Sequence, residues 1–180
     1  MDFEYLILDF IRNNLTSTFA DGLMKGISFL GNAGAVWILT AVCLMLFKRT
    51  RRIGITTACA LVLSLLICNL TLKPLIARMR PYELREGIEL IISAPTDYSF
   101  PSGHSSASFA AAVAVFCGNR KWGVAALSLA TLIAFSRLYL YVHFPTDVLC
   151  GALLGSLCGV LAYFIINKLY KKLYKKAVTN

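Results

Sequence analysis

Charged residues are scarce in this chain of 180 residues, and acidic ones are the scarcest. Only 15% of the residues are charged, with nine Asp and Glu against eighteen Lys and Arg. Hydrophobic residues make up 58% and the mean hydropathy is +0.69, whereas soluble domains are close to half apolar. This composition excludes a domain whose whole surface faces water.

Groupings typical of metal or cofactor sites are also lacking. The sequence has two histidines, no carboxylate cluster, and no His or Cys set with ligand spacing. The six cysteines lie in or beside apolar runs, where a free thiol behaves as a small core residue. We therefore expect neither a metal nor another cofactor.

Apolar runs dominate what is present, and they predict an all-α, polytopic membrane bundle. The length favours a single domain, 1–180. About five helices are predicted to span the membrane, at roughly 32–47, 53–72, 103–118, 122–142 and 146–168.

The links between these spans alternate in charge. The segments 48–52, 119–121 and 168–176 hold eleven of the eighteen Lys and Arg and no acid. The positive-inside rule therefore places them, and the C-terminus, in the cytoplasm, and it places the loop 73–101 and the turn 142–145 outside. Because the basic charge sets topology and contacts anionic lipid heads, we expect membrane lipids and no nucleic acid as partners.

The two ends of the chain differ from the spanning part, 32–168. Residues 1–31 combine helical apolar spacing with interleaved charges, which favours one or two interfacial amphipathic helices. The second of these could instead extend the first span. Residues 169–180 are predicted to form a basic cytoplasmic tail.

Three glycines in the last span, Gly151, Gly155 and Gly159, repeat every four residues. Such a stripe of small residues lets two helices approach closely. Packing within one bundle and pairing with a second copy of the chain are both open.

Cations on the outward side run against the positive-inside trend and call for an anionic partner. Lys73, Arg78 and Arg80 lie in "LKPLIARMRPY", and Arg137 lies near the outer end of the fourth span. If the first segment is helical until Pro81, Lys73 and Arg80 share one face, about 10 Å apart. Arginine binds phosphate with a planar fork and lysine binds it as a point charge, so these residues predict a phosphate site.

The stretch "PSGH" adds a second kind of anion site. Ser102 is predicted to cap a helix that begins at Gly103, and a helix N-terminus offers free N–H groups to an anion. Gly103 leaves room for an approaching oxyanion. His104, in the first turn, could protonate a leaving oxygen.

His143 and Asp147 are four residues apart in "HFPTD". A carboxylate one helical turn from a histidine can fix its tautomer and favour the cation that forms during reaction. Asp147 could instead only cap the last span. Taken together, the outward residues predict metal-free phosphoryl transfer in which one histidine attacks phosphorus and the other protonates the leaving group.

The same residues resemble the three signature motifs of the type 2 phosphatidic-acid phosphatase family, the lipid phosphate phosphatases. The first motif is met by "KPLIARMRP" (73–81), the second by "PSGH" (101–104) and the third by "SRLYLYVHFPTD" (136–147). Every motif position matches, in the family's order and spacing, and the resemblance covers about 69–150.

The resemblance implies a metal-independent phosphatase with a phosphohistidine intermediate. It implies that His143 is the nucleophile with Asp147 as its partner, that His104 is the general acid, and that Arg78 assists. The choice between the histidines comes mainly from the family, because the residues add only that His143 has a carboxylate at helical spacing. The phosphate-holding residues implied are Lys73, Arg80, Ser102, Gly103 and Arg137.

The size of the chain and its outward site are similar to those of bacterial undecaprenyl-diphosphate phosphatases. The implied reaction is hydrolysis of undecaprenyl diphosphate to undecaprenyl phosphate. The alternatives within the family are phosphatidylglycerophosphate and phosphatidic acid. From other classes, a transporter and a non-catalytic binder of lipid head groups stay open, whereas the hydrophobicity argues against the family's soluble vanadium haloperoxidases.

Overall fold

The computed structural model describes the backbone of residues 2–179 and the side chains of residues 3–173. Within that range it is helical and contains no strand, which confirms the predicted all-α membrane bundle. The helices are α1 (Asp2–Leu15), α2 (Thr18–Leu30), α3 (Ala35–Leu46), α4 (Arg51–Ser64), α5 (Lys73–Ile76), α6 (Gly103–Gly118), α7 (Arg120–Tyr139) and α8 (Pro145–Thr179). A π-helix, Leu65–Leu72, joins α4 to α5, and 3₁₀ turns lie at Asn32–Gly34 and Pro81–Glu83.

Helix α6 is the centre of the bundle, packed against α4, α7 and α8. Its buried face consists of serines and alanines with one valine, and it includes Ser105, Ser106 and Ala110. The glycine stripe of α8 faces it: a Cβ on Gly155 would lie 2.1 Å from the Ser106 carbonyl oxygen, and one on Gly159 would lie 2.7 Å from that of Ala110. The stripe is thus used inside the bundle rather than left open to a second copy of the chain.

The segment that carries the first cations does not stay helical to Pro81, so that part of the expectation was wrong. Helix α5 ends at Ile76, and Ala77 takes a left-handed conformation with φ of 48°. Beyond it the chain runs extended into Arg80. Lys73 and Arg80 are therefore brought together by a change in chain direction and not by a shared helix face.

The helices long enough to span a membrane differ in number and bounds from the five predicted spans. Three segments, Arg51–Glu83, whose last helix ends at Ile76, Arg120–Tyr139 and Pro145–Leu173, are long and apolar enough to cross a membrane. A fourth span is obtained if α2 and the following helix, bent by 47°, cross together. Helix α3 alone has 12 residues, about 18 Å of helix, and the 16-residue α6 is enclosed by its neighbours.

Helices α1 and α2 lie over the end of the bundle where α7 ends and α8 begins. Leu8 and Ile11 of α1 are buried against the turn that follows α7, while Phe3 and Phe10 on the opposite face are 72% and 62% exposed. Helix α1 is therefore apolar on its buried face and on its exposed face. It is too short to cross a membrane, since 14 residues cover about 21 Å. The tail predicted at 169–180 begins inside α8, which continues to Thr179.

Candidate active site

A cavity of 740 Å³ opens at this end of the bundle, between α2, the long loop 84–102 and the ends of α6, α7 and α8. Five of the nine residues singled out from the sequence line it: Lys73, Arg80, His104, Arg137 and His143. The motifs thus converge on one chamber although up to 70 residues separate them. We refer to it as the cation cavity.

His143 and Asp147 form a buried pair at the start of α8. His143 is 1% exposed and Asp147 is fully buried, and Nδ1 of the histidine lies 3.6 Å from Oδ2 of the carboxylate. That oxygen also accepts hydrogen bonds from the Ser99 hydroxyl at 2.5 Å and from the Phe144 N–H at 2.8 Å. Asp147 therefore does more than cap α8: it faces the imidazole as an oriented acceptor.

The tautomer of His143 follows from its other nitrogen. Nη1 of Arg80 lies 3.2 Å from Nε2, and a guanidinium can only donate, so Nε2 accepts and Nδ1 carries the hydrogen towards Asp147. Burial lowers the pKa of His143 to about 3, and Arg80 adds to this against the opposing effect of Asp147. His143 is therefore a neutral imidazole with its lone pair on the Arg80 side.

Lys73 and Arg80 meet on Asp97, a residue of the long loop that the sequence interpretation missed. Nη2 of Arg80 donates to its Oδ1 at 2.7 Å, and Nζ of Lys73 pairs with Oδ2. Burial raises the pKa of Asp97, but its ion pairs outweigh this and hold the pKa at about 2. No local pattern in the sequence marks Asp97, because it lies 24 residues from Lys73 and 17 from Arg80.

Arg137 is the cation without an acid. It is 3% exposed, and its Nη1 donates to the hydroxyl of Ser28 on α2. Its Nε is buried without a hydrogen-bond partner, and no salt bridge to it is found among the described side chains. A positive charge is therefore held at the cavity wall by neutral neighbours alone.

The "PSGH" turn forms the predicted cap. Ser102 is the N-cap of α6 and its hydroxyl accepts from the Ser105 N–H, while its own N–H donates to the Asp147 carbonyl at 3.0 Å. Ser102 is fully buried and lies behind the cavity wall. A Cβ on Gly103 would lie 2.9 Å from Oδ1 of Asn69, so the glycine is needed for packing as well as for an open helix end.

His104 reaches the cavity from the first turn of α6. Its Nε2 lies 2.9 Å from Oδ1 of Asn32, which stands between α2 and α3 and lines the same cavity. An amide oxygen can only accept, so Nε2 of His104 carries a hydrogen. No sequence pattern pointed to Asn32, because the contact joins residues 72 positions apart.

Arg78 lies elsewhere than its motif position suggested. Its Nη1 donates to Oδ1 of Asp147 at 2.6 Å and its Nη2 donates to Oε2 of Glu4 at 2.7 Å. It does not line the cation cavity. The Arg78 side chain therefore lies behind the His143–Asp147 pair and outside the cation cavity.

Nothing in the described part of the chain gathers three or more His, Cys, Asp or Glu residues that could hold a metal ion. The residues that converge are instead cations, an oriented histidine and a helix N-terminus. Such a set can bind a phosphate and stabilise the charge of its transfer. Fold and site together are typical of a membrane phosphatase.

Comparisons with known proteins agree with this class. The family model of the PAP2 superfamily matches residues 54–171. The chain is 35% identical over 153 residues to an undecaprenyl-diphosphatase of Sulfolobus acidocaldarius, covering 84% of this chain and 73% of that protein. It is 40% identical over 118 residues to the putative undecaprenyl-diphosphatase YbjG of Escherichia coli, covering 64% and 59%.

A solved structure gives the same result. The crystal structure of Aquifex aeolicus LpxE matches with a TM-score of 0.77 at 28% identity, covering 88% of this chain and 93% of that one. The chain belongs to the PAP2 superfamily, which confirms the resemblance seen in its motifs. It is a membrane lipid phosphatase.

Proposed function

We propose that the protein hydrolyses undecaprenyl diphosphate to undecaprenyl phosphate through a phosphohistidine on His143. The observation that carries the proposal is Arg137, a guanidinium buried at the cavity wall with no acidic partner among the described side chains. Leaving a buried charge uncompensated costs about 3–5 kcal/mol, so this position is built for an anion. Lys73 and Arg80 line the same cavity and suit a phosphate group.

The first step is attack on phosphorus by the neutral imidazole of His143. Its Nε2 forms the new N–P bond while the bond from phosphorus to the lipid-side oxygen breaks. The cation on the ring is stabilised through Nδ1 by Asp147, 3.6 Å away. Lys73, Arg80 and Arg137 offset the charge on the phosphoryl oxygens.

His104 supports the departure of the lipid. His104 acts as an imidazolium, with a hydrogen on each ring nitrogen. The hydrogen on its Nε2, now directed at Asn32, passes to the leaving oxygen and leaves His104 as a neutral imidazole. His104 then takes a proton from a water molecule, which attacks the phosphohistidine and breaks the N–P bond. Inorganic phosphate leaves, and His143 returns to its neutral form.

A second cavity supports a lipid substrate with a long apolar tail. It has a volume of 610 Å³ and runs between α3 and α4, with walls that include Ile38, Met45 and Leu61. Three residues, Lys73, Asp97 and His104, line both this apolar cavity and the cation cavity. A phosphate in the cation cavity can therefore continue into a chain that lies among apolar side chains.

A diphosphate head group is supported by Lys25. This exposed lysine of α2 lines the cation cavity outside the group formed by Lys73, Arg80 and Arg137. A second phosphate, next to the one undergoing transfer, would find it as a counter-charge. The names of the relatives from Sulfolobus acidocaldarius and Escherichia coli favour the same substrate.

The charge distribution supports an active site on the extracytoplasmic face. The cation cavity lies at the end of the bundle opposite the basic links 48–52 and 119–121, and the positive-inside rule assigns those links to the cytoplasm. The described end of α8 lies with them, so the C-terminus is assigned to the cytoplasm too. This assignment is tested in intact cells with a thiol reagent that does not cross the membrane, on protein in which the exposed Cys43 is replaced by serine. The reagent should modify the cysteine of the E86C variant and leave that of the R49C variant unmodified.

The decisive experiment compares lipids and then traps the intermediate. Undecaprenyl diphosphate, phosphatidic acid, phosphatidylglycerophosphate and diacylglycerol diphosphate are ranked by kcat/KM in detergent with EDTA. Undecaprenyl diphosphate should rank first, and Lys25→Gln should raise KM for diphosphates only. A higher rank for a monophosphate would refute the assigned substrate.

The intermediate is tested with substrate labelled at the terminal phosphate and quenched in alkali, where phosphohistidine survives. Wild-type protein should retain protein-bound label. His143→Ala should retain none and should lose activity by at least about 1,000-fold, with its thermal unfolding unchanged. Activity of His143→Ala at the wild-type level would refute the mechanism.

A further inference from the structure

Arg78 has no contact with the cation cavity but has two with the acid behind it. Its Nη1 donates to Oδ1 of Asp147 at 2.6 Å and to Oγ1 of Thr146 at 2.7 Å. Resting on the proposed mechanism, we propose that Arg78 is a positioning residue that keeps Asp147 charged and oriented towards His143, and that Glu4 holds Arg78 in place.

The charge balance around Asp147 makes Arg78 its counter-ion. The carboxylate is fully buried, and its Oδ2 receives only neutral donors, the Ser99 hydroxyl and the Phe144 N–H. Its one salt bridge to a full positive charge, among the described side chains, is to Arg78. A buried carboxylate without a cation is strongly disfavoured, so without Arg78 the ionised form that serves His143 would be disfavoured.

Arg78 is held on three sides, which leaves it no freedom to reach a phosphate. One side is the Asp147–Thr146 pair, and a second is Glu4, whose Oε2 accepts from Nη2 at 2.7 Å. The third is the ring of Phe144, whose centroid lies 4.1 Å below the guanidinium. The flat, forked guanidinium suits these simultaneous contacts, as an ammonium group would not.

The chain path explains why two arginines of one motif have separate tasks. Because helix α5 ends before Ala77, Arg78 and Arg80 lie on a non-helical segment, two residues apart. Arg78 contacts Asp147, and Arg80 contacts Nε2 of His143 at 3.2 Å. One arginine therefore serves each member of the pair, Arg80 from the cavity side and Arg78 from behind.

Helix α1 completes the arrangement. Oε1 of Glu4 accepts from the Thr146 hydroxyl at 2.5 Å, so both oxygens of Glu4 are engaged at the start of α8. Tyr5 packs edge-on against Phe144, with ring centroids 5.4 Å apart, and its hydroxyl donates to the Pro81 carbonyl. The N-terminal helix thus packs against the side of the His143–Asp147 pair that faces away from the cation cavity.

The test separates action through Asp147 from binding of phosphate. We measure kcat, KM and the inhibition constant of inorganic phosphate for Arg78→Ala and for Arg137→Ala. Arg78→Ala should lower kcat by about 10–100-fold and leave KM and phosphate inhibition within about twofold. Arg137→Ala should weaken inhibition by phosphate. If Arg78 bound the phosphate, Arg78→Ala would weaken it too, and that result would overturn the proposal.

A double-mutant cycle tests the route of the effect. Adding Arg78→Ala to Asp147→Asn should lower kcat by no more than about twofold beyond Asp147→Asn alone, since coupled residues are non-additive. Multiplicative losses would overturn the proposal. If Arg78→Ala does not fold, Arg78→Lys replaces it: kcat should fall with KM and phosphate inhibition unchanged, and weaker phosphate inhibition would refute the assignment.

Arg85 provides the matched control. It also pairs with an acid of α1, Asp9, at 2.6 Å, but it does not contact Asp147. Arg85→Ala should keep kcat near the wild-type value, and a loss equal to that of Arg78→Ala would show that only the docking of α1 matters. The lipid that the wild-type protein hydrolyses fastest serves as substrate, so a wrong lipid assignment and a wrong role for Arg78 are distinguished.

Discussion

Replacement of Gly155 by alanine should separate α6 from α8 and disable the active site from a distance. A Cβ at this position would lie 2.1 Å from the Ser106 carbonyl oxygen, 2.9 Å from the Ser106 carbonyl carbon and 3.0 Å from the Ala110 nitrogen. All three atoms are backbone of α6, so no side chain can rotate away. Because carbon and oxygen approach to about 3.3 Å in ordinary contacts, the helices must move apart by about 1 Å.

The expected magnitude has two parts. Overpacking of this kind costs about 1–3 kcal/mol of stability. The same two helices are joined at the site by the Ser102 N–H, which donates to the Asp147 carbonyl at 3.0 Å. A shift of about 1 Å between reacting groups can cost 100-fold in rate, so we expect kcat to fall by about 10–100-fold.

Thermal unfolding in detergent and kcat on the preferred lipid measure the two parts separately. Gly22→Ala in α2 is the control, because nothing lies within 4 Å of its Cβ. Alanine there should leave kcat unchanged and add up to about 1 kcal/mol of helix stability. Gly155→Ala with wild-type unfolding and wild-type kcat would refute the argument, and lost stability with unchanged kcat would show that the site does not depend on this contact.

Two further substitutions test residues that only the structure revealed. Asn32→Ala removes the acceptor 2.9 Å from Nε2 of His104 and should lower kcat about 3–10-fold with KM unchanged; a change in KM alone would refute this. Asp97→Asn removes the carboxylate that occupies Lys73 and Arg80, so inorganic phosphate should inhibit roughly tenfold more strongly. Since the pKa of Asp97 is about 2, this gain should be constant from about pH 5 to 8, and weaker inhibition would show that Asp97 builds the phosphate site.

The parts of the site that sequence could predict are those set by local spacing. Ser102 caps α6 as expected, because a serine before a glycine and a small-residue run is a local signal. His143 and Asp147 are paired as the four-residue spacing suggested, although His143 lies in the turn before α8 and only Asp147 lies in its first turn. The glycine stripe predicted a close helix contact but not its partner. A helix of the same bundle and a helix of a second copy of the chain would bury the stripe equally well.

The remaining contacts depend on how distant segments meet. Asn32, Ser28 and Asp97 come from the α2–α3 junction, from α2 and from the long loop, and no local pattern marks them. The motif position of Arg78 suggested a phosphate contact, whereas beyond the left-handed Ala77 its side chain contacts Asp147. The first predicted span, 32–47, begins inside the helix break at Asn32–Gly34, and α3 covers only Ala35–Leu46 of it.

Residues before the matched family segment, 54–171, are as much a part of the site as the motifs themselves. Ser28 contacts Arg137, Asn32 contacts His104, and Glu4 holds Arg78. The walls that a substrate meets also come in part from this region, since α2 lines the cation cavity and α3 lines the apolar one. The motifs supply the chemistry that hydrolysis of any lipid phosphate would need. The head group of the substrate would contact α2 and its tail would contact α3. Differences in substrate between such enzymes should therefore follow the sequence of the first 46 residues more closely than that of the motifs.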